Sequence, residues 1–239
     1  MSGVFCSIIY DNTTMKYVLG LLALSGGNLF MSAQDASFSF DHEVKVEMRL
    51  SMDKLPKGTF DYAFLYPQEG EVIGIIGDLT HSGMKVRTQA IFDTKNQVII
   101  TLLDQGGMKM GMKMNIGQDL PGEAGEKLGK MKIFKTGNTK KILGYDCVEY
   151  EIAGPESYGL IWITSKVSLS SFYDVLSVMN LQKQEPDLEI PEGFMMQMTA
   201  WPAGKESDEK MELVVTEINM DKSQEMSTAG YQIIDMPNR

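Results

Sequence analysis

The chain is poor in the residues that most often announce chemistry. Among its 239 residues it has two cysteines, two histidines and two tryptophans. Neither His42 nor His81 stands in a His-Glu-x-x-His pattern, and no Gly-x-Ser-x-Gly elbow or phosphate-cradling glycine loop occurs. The carboxylates are many but scattered over polar strand positions. These absences argue against an enzyme. No lysine or arginine cluster offsets the net charge of −10, which repels phosphate backbones and excludes a nucleic-acid partner. No apolar run reaches the roughly 20 residues of a membrane-spanning helix.

The longest apolar run, Tyr17–Phe30, suits a signal-peptide core of about 7–15 residues. It follows Met15-Lys16, which offers a second start, and precedes Met31-Ser32-Ala33. We expect residues 1–33 to be an N-terminal extension and signal peptide cleaved after Ala33, and 34–239 to form a single domain. The removed piece carries one acid, Asp11, and one base, Lys16, so the charge of the remainder stays at −10. An export signal implies a periplasmic or extracellular home. Removing Cys6 would leave Cys147 alone, with no intrachain disulfide. Cys147 falls on an apolar strand phase, as a buried packing residue would.

What is present is alternation. Phe38, Phe40, His42, Val44, Val46, Met48, Leu50 and Met52 share one parity, and polar residues the other. Period two over this length predicts one long half-buried strand. Phe60–Tyr66 predicts a second. Met84–Phe92 and Gln97–Leu103 flank a hairpin turn, Asp93–Asn96. Glu71–Asp78 fits a short strand or a capped turn. Met108–Ile116 alternates methionine with lysine or glycine. Residues 132–164 read as three strands, with turns expected at Gly137-Asn138 and Gly154-Pro155. Ser168–Gln182 is the one predicted helix: Leu169, Phe172, Tyr173, Leu176 and Met179 recur at helical spacing. Phe194–Trp201, Lys210–Asp221 and Tyr231–Ile234 supply the last strands. Roughly ten short-connected strands predict an antiparallel meander. A sheet of that size must curl or split to bury one face. The expected fold is mainly β, a curved antiparallel sheet or incomplete β-barrel lidded by one helix. A β-sandwich is the alternative.

Five segments carry a resemblance: KTGNTKKILGYDCVEYEI from Lys135, GLIWIT from Gly159, PEGFMMQMT from Pro191, KMELVVTEI from Lys210 and STAGYQIIDMP from Ser227. They resemble a domain-of-unknown-function family of secreted bacterial proteins. That family is in turn similar to the LolA/LolB-like periplasmic lipoprotein carriers. The resemblance implies an incomplete barrel closed by helices over an apolar cavity.

The candidate site follows from the methionines, of which there are 19. Met110, Met112 and Met114 line one face of a predicted strand, and Phe172, Leu176 and Met179 line the predicted lid. Flexible apolar lining suits a hydrophobic small molecule, a lipid or a lipoprotein, with peripheral contact to an envelope membrane. Thioethers also select Cu(I), so a copper site built from Met110, Met112, Met114 and His42 is the alternative. Otherwise no cofactor is expected. A structural or interaction role without ligand is the third possibility.

Overall fold

A computed structural model describes residues 36–51, 58–69, 71–81, 84–115, 132–154, 158–169, 191–201 and 208–235. The expected signal peptide lies outside the described residues, as does the lid helix apart from Ser168 and Leu169. Every regular element among the described residues is a strand.

Two meanders meet side by side. The first runs through β2 (His42–Ser51), β3 (Gly58–Tyr66), β4 (Val72–His81), β5 (Met84–Asp93), β6 (Val98–Gln105) and β7 (Met108–Asn115). The second runs through β8 (Lys132–Ile142), β9 (Tyr145–Ala153), β10 (Tyr158–Thr164), β11 (Phe194–Trp201) and β12 (Lys210–Asn219). β12 returns to pair with β2, which fuses them into one sheet. Two short pieces complete the chain beside them. β1 (Ser37–Phe40) pairs with β13 (Gln224–Ser227), and β14 (Gln232–Asp235) adds to β7 in parallel. The main sheet has twelve strands in the order β14-β7-β6-β5-β4-β3-β2-β12-β11-β10-β9-β8. Among the described residues its end strands, β14 and β8, do not pair with each other, so the sheet is open.

The sheet curves toward the face that carries Val44, Val46, Phe64 and Tyr66. Tyr66 on β3 and Phe194 on β11 are three strand spacings apart, about 14 Å along a flat sheet. Their rings meet edge-on with centroids at 6.2 Å. One buried cluster therefore draws on both meanders, joining Val44, Ile73 and Phe92 to Ile152, Ile161 and Leu213. Register shifts within the β2·β12, β10·β11 and β8·β9 pairs add local bend. The convex back holds a second cluster of Phe40, Leu65, Ile91, Ile100, Leu102 and Met226. The β1·β13 ribbon covers it.

Three expectations are corrected. The alternation from Phe38 to Met52 is not one strand, because the chain breaks at Asp41. There the Asp41 amide donates to the Tyr66 carbonyl (2.9 Å), and its own carbonyl accepts from the Lys222 amide (2.8 Å). Its carboxylate accepts from the Gln68 amide (3.0 Å). The break sends Phe38 and Phe40 to the back cluster while Val44 and Val46 serve the front. The first turn of residues 132–164 is Leu143-Gly144, at φ 51° and 85°. Two successive positive φ values are what a two-residue hairpin needs to match strand twist. Gly137, at φ 87°, is a bulge inside β8 instead. Lastly, the described residues form fourteen strands rather than roughly ten, and β14·β7 is parallel. The β-sandwich alternative gives way to one continuous sheet with a two-stranded ribbon on its back.

Candidate functional site

Strand pairing decides which side chains share the concave face. On β7, Met114 pairs with Ile99, Met112 with Thr101 and Met110 with Leu103. Following each row across β6, β5, β4 and β3 shows what the methionines look toward. The Met114 row continues through Ile99, Phe92 and Ile73, all buried. The Met112 row continues through Thr101, Ala90, Ile75 and Phe64. The Met110 row continues through Leu103, Thr88, Gly77 and Tyr62.

The rows differ in side-chain size, and that difference shapes the surface. The Met114 row is filled with large groups and closes as core. The other two mix Thr101, Ala90, Thr88 and Gly77 with the larger Leu103 and Ile75, and Ala90, Ile75 and Tyr62 pack against the main cluster. The smaller groups lower the floor between the β7 methionines and the β3 aromatics, and this stretch of the concave face is the trough. Its walls are the β7 methionines and the β3 aromatics, four strand spacings apart, roughly 19 Å. Tyr62 leans over Gly77: a Cβ there would lie 2.6 Å from Tyr62 Cε1. Thr88 donates its hydroxyl to the Gly77 carbonyl at 3.0 Å, which satisfies it within the floor.

Burial along β7 is graded. Met114 packs against the main cluster. Met110 and Met112 are half-buried, and among the described residues they join none of the buried clusters. Met108, at the strand's start, is 58% exposed. Gly111 faces the opposite side. A Cβ there would meet Ile233 Cγ1 at 2.9 Å and Leu102 Cδ2 at 3.0 Å, so the missing side chain is what lets β14 dock. Lys109 holds its ammonium 5.4 Å from the Tyr231 ring centroid on that same back face.

Of the residues expected at the site, Met110, Met112 and Met114 are brought together. Phe172, Leu176 and Met179 lie outside the described residues. His42 does not join the methionines. It sits on β2, five strand spacings from β7, and its Nδ1 contacts the Met220 carbonyl. Alternation along one strand cannot tell how many strands separate two residues. Among the described residues, no three His, Cys, Asp or Glu side chains gather at one point. Tyr62, Ile75, Thr88, Ala90 and Thr101 were not anticipated. They come from four strands, and only the register unites them.

Charged groups concentrate elsewhere. Glu43 is buried at the back edge and accepts from Lys222 Nζ (2.6 Å), Gln224 Nε2 (2.6 Å) and Asn219 Nδ2 (3.3 Å). Burial alone would raise its pKa. These three donors and the Lys222 charge outweigh burial, and the net shift is downward. On the outer face of the second meander, Lys140 crosses to Trp162, its Nζ 4.0 Å from the ring centroid, and donates to Gln197 Oε1 at 2.6 Å. Burial lowers its pKa against the pull of Cys147 and Glu149. Glu149 itself is buried and accepts from Thr136 Oγ1 (2.9 Å) and Asn138 Nδ2 (2.7 Å). Cys147 is fully buried, and burial raises its thiol pKa. It is a packing residue.

Fold and trough together define an open antiparallel half-barrel with an apolar concave face. The chain belongs to the DUF4412 family, a domain of unknown function whose family model matches residues 43–228. No curated protein matches it. Among solved structures it is similar to PNGF-II in the P21 space group, with TM-score 0.44, 10% identity, 82% of this chain and 32% of that chain. It is also similar to PNGF-II in the C2 space group, with TM-score 0.43, 11% identity, 85% of this chain and 31% of that chain. A third similarity is to a LolA superfamily protein from Nitrosomonas europaea, with TM-score 0.32, 12% identity, 77% of this chain and 87% of that chain. The chain thus spans about a third of the length of PNGF-II.

Proposed function

We propose that the protein is a non-enzymatic binder of a hydrophobic ligand, a lipid or a lipid-modified client. In this reading the ligand lies on the concave face between the β7 methionines and the β3 aromatics, in the cell envelope. One observation carries it. Met110 and Met112 are half-exposed, join no buried cluster among the described residues, and stand in rows where Thr101, Ala90 and Thr88 are mixed with Leu103 and Ile75. A filled core would bury both methionines among close-packed neighbours. Methionine adapts to irregular apolar partners, and each buried ligand methylene contributes about 0.8 kcal/mol.

The test is titration of a fluorescent fatty acid into wild type and Ala90→Trp, paired with native mass spectrometry of protein purified from its own envelope. Ala90 is on the floor, so an indole there fills the trough. The expected result is a co-purifying lipid mass and a loss of affinity of about tenfold or more in the variant, ~1.4 kcal/mol. Wild type that carries no lipid and binds no fatty acid refutes the reading.

A further inference from the structure

We propose that Met108, Met110 and Met112 form an oxidation site, at which a hydroperoxide converts the thioethers to sulfoxides and turns the trough wall from apolar to polar. The site itself rests on exposure and register. Its consequence for binding rests on the ligand reading above.

The methionines grade by access, and Met114 and Met198, though also half-buried, pack against the main cluster. Met48, Met195, Met196, Met211 and Met226 are at most 9% exposed. Met108 is 58% exposed, and Met110 and Met112 are half-buried. Because they alternate along one strand, all three point to one face, about 6.8 Å apart. Oxidant reaches them from the side on which a ligand would lie. In the step, a sulfur lone pair attacks one peroxide oxygen and the O–O bond breaks. The other oxygen leaves with the electron pair and takes up the proton, giving water from hydrogen peroxide or the alcohol from an organic hydroperoxide. Sulfur is oxidised by two electrons and the peroxide is reduced. The product is polar and chiral where the thioether was apolar. Three S–O dipoles in a row demand hydrogen-bond donors that a hydrocarbon chain does not supply.

Met220 supplies an internal control. It is 40% exposed but follows β12, outside the trough. Its oxidation therefore leaves the wall unchanged.

The experiment is graded hydrogen peroxide treatment of the whole chain, followed by peptide mass mapping over time. Met108, Met110 and Met112 are expected to oxidise at least roughly tenfold faster than Met196 and Met226. Equal rates overturn the site. Fatty-acid binding is then measured for reduced, oxidised and sulfoxide-reductase-repaired protein. The same is done for a variant carrying Met108→Leu, Met110→Leu and Met112→Leu, and for Met220→Leu. Oxidation is expected to weaken wild type and Met220→Leu by about tenfold, repair to restore both, and the triple variant, whatever its own reduced affinity, to show no change on oxidation. Oxidised wild type that binds as tightly as reduced overturns the switch while the mapped site stands. Reduced wild type that binds no fatty acid overturns both the ligand reading and the switch, and the peptide map alone then decides the site.

Discussion

Gly74 is the position where one added methyl group tests how the back of the sheet is built. It lies mid-strand in β4, between Leu65 on β3 and Ile91 on β5. Phe40 and Met226 come down from the β1·β13 ribbon into the gap that it leaves. A Cβ at this site would meet Met226 Sδ at 2.7 Å, Phe40 Cζ at 3.0 Å and Leu65 Cβ at 3.2 Å. Met226 can swing aside. Leu65 Cβ is fixed to the backbone, and Phe40 is fully buried. Overpacking of this kind costs about 1–3 kcal/mol, and leaving glycine in a strand recovers roughly 0.5–1 kcal/mol. Gly74→Ala should thus destabilise by about 0.5–2 kcal/mol, a Tm decrease of roughly 1–8 °C for a domain of this size. The decisive measurement is a double-mutant cycle by urea unfolding. Met226→Ala alone should cost about 2–4 kcal/mol by leaving a cavity. In the double variant the new methyl occupies part of that cavity, so the pair should cost at least about 1 kcal/mol less than the sum of the singles. Additive costs, or a neutral Gly74→Ala, would refute the idea that the ribbon is seated on this glycine.

The remaining predictions concern single groups. Glu43→Gln should destabilise by about 1–3 kcal/mol at neutral pH, since a buried carboxylate with three donors becomes an amide. The folded pKa of Glu43 is lowered, so its stabilisation is present above the unfolded value and lost as pH falls through the folded one. The gap between wild type and Glu43→Gln should therefore close below about pH 4.5; a gap that persists unchanged in acid contradicts the assignment. Cys147 should resist a thiol reagent in the native protein and react on unfolding, because burial raises its pKa and shields it; labelling of Cys147 is scored by peptide mapping to separate it from Cys6. Leu143 holds φ 51° at an exposed turn, so Leu143→Asn should stabilise by about 0.5–1 kcal/mol. Unchanged or lowered Tm would count against that turn geometry.

The concave wall was legible in the sequence to the extent that it depends on one strand. Met110, Met112 and Met114 alternate, and alternation puts them on one face whatever the strand pairs with. The floor was not legible. Thr88, Ala90, Thr101 and Gly77 are unremarkable within their own strands and become a trough only when three registers align them. His42 shows the opposite error. Its parity matched an inward phase, yet parity carries no information about distance across the sheet. Asp41 continues the alternation of its neighbours, so nothing local marks the break that its three hydrogen bonds impose.

By itself, then, the sequence determined the strand content, most hairpins, the burial of Cys147 and the methionine stripe, because all of these follow from local period and turn chemistry. The tertiary structure alone decided that the chain forms two meanders rather than one, fused at β2·β12, since that pairing joins residues about 170 apart. It also decided that β1 leaves the main sheet, that Leu143 rather than Gly137 makes the turn, and that small side chains from β4, β5 and β6 meet under the methionines. These are outcomes of long-range register, and register is settled by what each strand meets on both of its edges.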